Sequence, residues 1–274
     1  MVLKRLAALV AALLILTTPA AQAAGGNGQE VAGTVPRALT SEGNHDARCV
    51  ECTLGDAVAD ATRKYLGTDL AIICGGEIKA NLLGDITWDD LSIVFPEDRT
   101  LATAVVTVRQ LREILEGGVS HIRLDPSERI DMEASVYDGF PQISGFTLTY
   151  DASAPVGQRV HEIYVNDEKL ALDDDTRTFT LAATAFMLEG GYGLPAVDHA
   201  ARSDMTLTDV FVRYMNDGMA DYQDTGKRIR AIGVAGGGLT VPLVAAILIA
   251  CVFLSLYRRF GKTQHTRYFR YYPR

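Results

Sequence analysis

The stretch that decides the fold is residues 48–61, R-C-V-E-C-T-L-G-D-A-V-A-D-A, where a polar start leads into apolar residues at helical spacing. Thr53 and Asp56 have the spacing of a capping box, and an acid in the first turn interacts favourably with the helix dipole. The apolar positions that recur every three or four residues are Leu54, Val58, Ala61 and Tyr65. We therefore predict a helix that begins at Thr53 and ends at Gly67.

Outward from this helix, strand and helix patterns alternate. Apolar or alternating runs predict strands at Asp69–Cys74, Leu101–Val106, Phe146–Tyr150, Arg159–Val165 and Thr176–Ala183. Thr107 is the expected N-cap of a helix that reaches Gly117-Gly118, and apolar spacing from Leu207 to Met215 marks a last helix. We expect one α/β domain at residues 44–230, behind a Gly-rich lead-in at 24–43.

The first 23 residues have the pattern of a secretory signal peptide. Lys4 and Arg5 precede the apolar run Leu6–Leu16, and Ala21-Gln22-Ala23 has the small-x-small form of a cleavage site. We expect cleavage after Ala23. An uncleaved anchor is the alternative, although eleven apolar residues are short for a membrane span.

Residues 231–257 carry no charge and are expected to form a transmembrane helix. Their densest apolar part, Leu239–Tyr257, nearly crosses a hydrocarbon core of about 30 Å. The tail at 258–274 holds six Lys or Arg residues and no acid, which places it on the cytoplasmic side. We expect a single-pass type I protein of the cell membrane whose domain is extracytoplasmic; a buried core helix is the alternative.

The charge distribution argues against a nucleic-acid partner. The chain of 274 residues has 34 acidic and 26 basic residues, and all of the acids lie between the signal peptide and the tail. A domain this acidic repels phosphate polyanions at long range.

Three cysteines lie in the expected extracytoplasmic domain. Cys49 and Cys52 could close a local disulfide and leave Cys74 free, or His45 could complete a zinc set with all three. A single C-x-x-C motif does not decide between these alternatives.

The run from Arg48 to about Val197 resembles the C-terminal domain of the 5′-nucleotidase / UDP-sugar hydrolase family. Residues 48–61 are similar to its R-x-x-E-x-N-L-G-N-x-x-A-D-A motif, and Cys74–Lys79 is similar to its N-G-G-G-I-R loop. Four further matches follow in order: Gly84–Thr87 to G-x-I-T, Thr107–Leu111 to T-G-x-x-L, Gln142–Gly145 to Q-x-S-G, and Phe186–Gly193 to F-L-x-x-G-G-D-G.

The resemblance implies an α/β fold that binds the base and sugar of a nucleotide. The resemblance also implies that the two catalytic metal ions and the catalytic His–Asp pair of these enzymes belong to a separate metallophosphatase domain. We therefore expect no catalytic residue, metal ligand or cofactor in this chain. The substrate-binding positions that it implies are Arg48, Gly75, Gly76, Lys79, Phe186 and Tyr192.

Several of these positions depart from the family pattern. Lys79 stands for the loop Arg and Cys74 for the loop Asn, while Tyr192 stands for the ribose-binding Asp. In the family, two aromatic rings sandwich the base, and the first is the Phe of a P-F-x-N element. Pro96–Arg99 stands at this element, and Glu97 replaces the Phe. Loss of one ring costs about 1–3 kcal/mol of stacking, and a carboxylate repels phosphate.

The sequence leaves three functional hypotheses. The first is a non-catalytic binding or scaffold protein, a pseudoenzyme whose pocket has either decayed or been changed to suit a nucleoside-like, less anionic molecule. The second is the substrate-binding part of a nucleotide hydrolase that works with a separate metallophosphatase chain. The third is a fragment of a full enzyme. The glycines of the pocket do not distinguish a decayed pocket from a changed one, because a turn that needs a positive φ keeps its glycine in either case.

Overall fold

The structure, a computed structural model, describes residues 28–41, 46–217, 219, 222 and 228–235. Within these residues the chain has an α/β fold, as expected. Its helices are α1 (Thr53–Leu66), α2 (Trp88–Val94), α3 (Val108–Gly118), α4 (Ala185–Leu188) and α5 (Leu207–Asp217). Its strands are β1 (Val31–Leu39), β2 (Leu70–Cys74), β3 (Leu82–Thr87), β4 (Thr100–Thr107), β5 (Pro141–Ser144), β6 (Thr147–Asp151), β7 (Val160–Val165), β8 (Glu168–Lys169), β9 (Thr178–Thr184), β10 (Ala201–Thr206) and β11 (Ile229–Ile232).

A five-stranded mixed sheet forms the centre of the fold. Its strand order is β10-β4-β9-β2-β5, with β2 and β9 parallel and the other neighbours antiparallel. Successive side chains of a strand point to opposite faces, and in β2 Ile72 and Ile73 belong to different cores. One core contains residues of α1, α2 and α5; the other contains residues of α3 and of the four-stranded sheet β11-β6-β7-β8.

The structure confirms the predicted elements to within two residues at each described end. The predicted helices correspond to α1, α3 and α5, and the predicted strands to β2, β4, β6, β7 and β9. Thr107 caps α3 as expected: its Oγ1 accepts a hydrogen bond from the backbone N–H of Gln110.

The predicted cap of α1 was wrong by one residue. Cys52 is the N-cap, and its Sγ accepts a hydrogen bond from the N–H of Gly55 at 3.2 Å. Thr53 is instead the first helical residue, and its Oγ1 accepts from the N–H of Thr40. A sulfur acceptor is unusual at this position, which Ser, Thr, Asp and Asn favour.

Two strands extend the domain beyond the predicted boundaries. β1 lies within the expected Gly-rich lead-in and pairs antiparallel with β3, with Val35 and Leu39 buried. β11 pairs parallel with β6 and runs two residues past the expected end at 230. Both pairings join segments far apart in the sequence, and neither β1 nor β11 shows a clear alternation of its own.

A partly buried ion cluster fixes the start of β11 to α1. Arg228 donates from Nη1 and Nη2 to the two carboxylate oxygens of Asp60, at 2.7 and 2.8 Å. Glu51 accepts from the backbone N–H groups of Arg228 and Ile229, at 3.0 and 2.8 Å. The guanidinium also lies 3.6 Å from the carboxylate of Asp56. Acidic residues of the motif at 48–61 therefore hold the last described strand.

The signal peptide, the tail, His45 and residues 236–257 of the expected membrane span lie outside the described residues. Within the part of the chain that the structure describes, no helix has the length and apolar character needed to cross a membrane.

Candidate functional site

The loop after β2 brings its two glycines against other parts of the backbone. The N–H of Gly75 donates to the carbonyl of Phe140 at 2.8 Å, and that of Gly76 to the carbonyl of Asp138 at 2.9 Å. A Cβ on Gly75 would overlap the carbonyl oxygen of Ala47, and one on Gly76 would overlap the side chain of Asp138. Neither glycine has a positive φ. Close packing requires them, so the explanation by positive φ was wrong at these two positions.

The two expected cations of the site are each beside a carboxylate. Arg48 donates from Nε and Nη2 to the two oxygens of Asp46, at 3.0 and 2.8 Å. Burial acts to raise the pKa of Asp46, but the hydrogen bonds from Arg48 outweigh it and hold this pKa below its usual value. Lys79 lies 3.7 Å from Asp138. A phosphate group would therefore have to compete with a carboxylate for either cation.

The segment after β9 brings Phe186 and Tyr192 together. Their ring centroids lie 5.0 Å apart with the planes at 86°, an edge-to-face pair. Gly190 has φ 92°, as expected for a turn glycine, but Tyr192 itself has φ 57°. The hydroxyl of Tyr137 donates to the carbonyl of Tyr192 at 2.5 Å and holds this unusual turn.

Arg99 is the residue of this site that the sequence analysis missed. Its guanidinium carbon lies 3.6 Å from the centroid of Phe186 and 6.0 Å from that of Tyr192. Its Nε lies 3.6 Å from the carboxylate of Glu77, and it forms an ion pair with Glu97. The sequence does mark this position, because Arg99 replaces the Asn of the P-F-x-N element. The prediction for that element rested on Glu97 alone.

Glu77 provides a buried carboxylate beneath Arg99. The hydroxyl of Thr184 donates to its Oε1 at 2.7 Å, and the N–H of Cys74 to its Oε2 at 3.3 Å. Burial raises the pKa of Glu77 to about 7, opposed by the Thr184 hydrogen bond and the charge of Arg99. Near neutral pH this carboxylate therefore needs a cation to stay ionised.

An open cleft leads to this cluster. It has a volume of about 340 Å³ and is bordered by Glu97, Asp98, Arg99, Thr100, Ala185, Phe186, Glu189 and Arg202. A second, much smaller space of about 10 Å³ lies between Glu77, Arg99 and Tyr192. Arg99 borders both spaces.

The three cysteines are buried free thiols, so the local disulfide considered for Cys49 and Cys52 is not formed. Burial raises the pKa values of Cys49 and Cys52 to about 12 and that of Cys74 well above its usual value. Within the described ranges, no three His, Cys, Asp or Glu side chains are placed to hold a metal ion. Thiols this resistant to ionisation are poor metal ligands and poor nucleophiles.

All six substrate-binding positions implied by the resemblance lie in one region of the fold. The N–H of Tyr137 donates to the carbonyl of Arg48, while the side chain of Tyr137 holds the turn at Tyr192. The Gly75-Gly76 turn continues into Glu77, which reaches Arg99 and so Phe186. Their role in binding a ligand stays a prediction.

Comparison with known proteins identifies the family. A family model described as "5′-nucleotidase, C-terminal domain" matches residues 31–199. The trifunctional nucleotide phosphoesterase protein YfkN of Bacillus subtilis (strain 168) is 30% identical over 183 residues, which cover 64% of this chain and 12% of that protein. Protein 5NUC of Lutzomyia longipalpis is 24% identical over 188 residues, covering 61% and 31% respectively. The chain thus spans less than a third of either relative.

A solved structure has the same fold. The 5′-nucleotidase precursor from Thermus thermophilus superposes with a TM-score of 0.63 and 25% identity, over 74% of this chain and 40% of that one. The family match begins at residue 31, the first residue of β1, which agrees with a domain that includes this strand. The chain therefore belongs to the family of 5′-nucleotidase C-terminal domains.

Proposed function

We propose that this chain is a membrane-anchored, non-catalytic binding or scaffold protein whose pocket no longer takes ordinary nucleotides. The observation that carries the proposal is the position of Arg99. Its guanidinium covers the ring of Phe186, which is the one stacking ring that the sequence retains. A base could stack on Phe186 only after Arg99 had left.

The charges around the cleft support the same proposal. Glu97, Asp98 and Glu189 border it, against Arg99 and Arg202, and Arg202 is itself paired with Glu189. A nucleotide phosphate entering here would meet more negative than positive charge. Arg48 and Lys79, which the resemblance assigns to substrate binding, already have acidic neighbours.

The membrane part of the proposal rests on the sequence patterns. Residues 1–23 would direct the chain to the secretory pathway, and a span within 231–257 would leave the basic tail in the cytoplasm. Since β11 uses residues 231 and 232, the span would start after the strand. The domain would then be displayed on the extracytoplasmic side of the cell membrane.

Calorimetric titration of the full chain in detergent tests the binding part. We expect no micromolar binding of AMP, adenosine or UDP-glucose, with or without zinc or manganese, and no hydrolysis. Micromolar AMP binding that Phe186→Ala or Arg48→Ala weakens would contradict the proposal. It would favour the alternative, a substrate-binding part that works with a separate metallophosphatase chain.

Protease treatment of cells whose outer wall or outer membrane has been removed tests the membrane part. We expect the domain to be digested from outside while an epitope added after Arg274 stays protected. Release of the whole chain into the medium, or full protection of the domain, would contradict membrane anchoring in this orientation.

A further inference from the structure

The rings and carboxylates around Arg99 form a cage of definite chemistry. We propose, building on the loss of nucleotide binding proposed above, that Phe186, Tyr192, Glu77 and Glu97 form a binding site for a planar cation of the guanidinium or amidinium class. Arg99 occupies this site when no ligand is bound, and a ligand displaces it.

The two rings favour a flat cation. The guanidinium of Arg99 lies at stacking distance from the face of Phe186, and Tyr192 closes a second side at a right angle. Aromatic faces attract cations, and a delocalised planar cation can also stack on them. A tetrahedral ammonium is attracted to the ring faces but cannot stack flat on them.

The carboxylates of the cage determine that its ligand is a cation. Glu77 is held in place by Thr184 and by the N–H of Cys74, so it cannot turn away to solvent if Arg99 leaves. A buried carboxylate without a partner is costly. A cationic ligand in the vacated site would restore the charge that keeps Glu77 ionised, whereas a phosphate would not.

Arg99 does not satisfy all the hydrogen bonds that the site offers, so another cation could bind there more favourably. Its Nε is buried and has no hydrogen-bond partner among the described residues, because Glu77 lies 3.6 Å away. The cleft of about 340 Å³ gives a ligand access to Arg99 and Phe186. The carboxylates at its border would attract a cation from solution.

The test uses the full chain with Arg99→Ala and methylguanidinium as the probe. We expect saturable 1:1 binding by calorimetry, at least about tenfold tighter than to the wild type, which must first expel Arg99. Methylammonium, a cation without the planar fork, should bind at least about fivefold more weakly. Methylguanidinium should also raise the thermal midpoint of the variant.

Two further variants locate the binding. Adding Phe186→Leu or Glu77→Gln to Arg99→Ala should each weaken methylguanidinium binding at least about fivefold. Arg202→Ala is the matched control, since Arg202 borders the same cleft and is paired with Glu189 but lies outside the cage. It should behave like the wild type.

The proposal is overturned if Arg99→Ala shows no saturable binding, or if binding survives both added substitutions. If Arg99→Ala does not fold, Arg99→Gln replaces it, and absence of methylguanidinium binding there overturns the proposal equally. AMP is titrated in parallel. Micromolar AMP binding to the wild type would contradict the proposed function. The methylguanidinium titration tests the cation site independently of that result.

Discussion

Asp56 lies in the first turn of α1 with no exposed surface, and neither carboxylate oxygen has a hydrogen-bond partner among the described residues. Burial raises its pKa to about 9, opposed by Arg228 and assisted by the negative charge of Glu51. The family motif has Asn at this position, so a neutral side chain fits the site. Asp56 therefore makes the stability of the fold depend on pH.

The sign of this dependence follows from the two pKa values. Since the pKa in the folded state lies above the ordinary 3.8, the stabilising contribution of the protonated form is complete below pH 3.8 and is lost as pH rises through about 9. One such group changes the free energy of unfolding by at most about 1.4 kcal/mol per pH unit.

We predict that Asp56→Asn flattens this dependence. Its thermal midpoint should fall less than that of the wild type between pH 6 and pH 9, because nothing is left to ionise at this position. Circular dichroism melts at both pH values measure the effect. Asp167→Asn, at an exposed turn residue, is the control and should follow the wild type. Parallel curves for Asp56→Asn and the wild type would contradict the assignment.

Two glycines are predicted to respond differently to substitution. Gly75→Ala should lower the free energy of unfolding by about 1–3 kcal/mol, because the new Cβ overlaps the backbone of Ala47. Gly67 has φ 66° and open space around it, so Gly67→Asn should cost less than about 1 kcal/mol. Urea unfolding measures both variants, and equal losses would refute the distinction.

At the site, the sequence could identify positions but not their partners. Phe186 and Tyr192 were found through motifs that stay in register with the family. Arg99 was missed because its role depends on a contact with Phe186, 87 residues later, between the segment before β4 and α4. No local pattern reports which ring a guanidinium will cover.

At the scale of elements, the pairing of β11 with β6 depends on the side chain of Arg228, which is mostly buried. Arg228→Ala should reduce the free energy of unfolding by about 3 kcal/mol, since it leaves the partly buried carboxylate of Asp60 without its cation. Arg129→Ala removes an exposed ion pair with Asp125 and should cost less than about 0.5 kcal/mol.

Hydrogen exchange locates the same effect. In Arg228→Ala the amides of β11 should exchange at least about tenfold faster while those of β2 keep their protection, because opening is confined to the released strand. Uniform acceleration across both sheets would contradict a local role for Arg228.

Elements were predictable where their own residues carry a period. α1, α3 and α5 each present an apolar stripe, β6 alternates along its length, and β7 alternates over its last three residues. β1 and β10 could not be found this way, since one lies in a Gly-rich segment and the other is mostly polar, A-R-S-D-M-T. Their strand character comes from the partners that they pair with.

At the scale of the whole molecule, the domain should need the residues through Ala235. A chain from Ala24 to Ala235 keeps β11 and the hydrogen bond from the N–H of Ala235 to the carbonyl of Glu128. A chain that ends before Arg228 loses both, together with the ion cluster. We predict a thermal midpoint lower by about 5 °C or more for the shorter chain. Equal midpoints would place the domain boundary earlier.

The parallel pairing of β11 with β6 also has a mechanical consequence. Hydrogen bonds link the two strands at Arg228–Leu148 and at Ile232–Ala152, near opposite ends of β11. A pull along β11 from the chain beyond Ala235 loads these bonds together, in shear, rather than one after another. If a membrane span follows, tension at the anchor would be carried by this strand and by the ion cluster at its start.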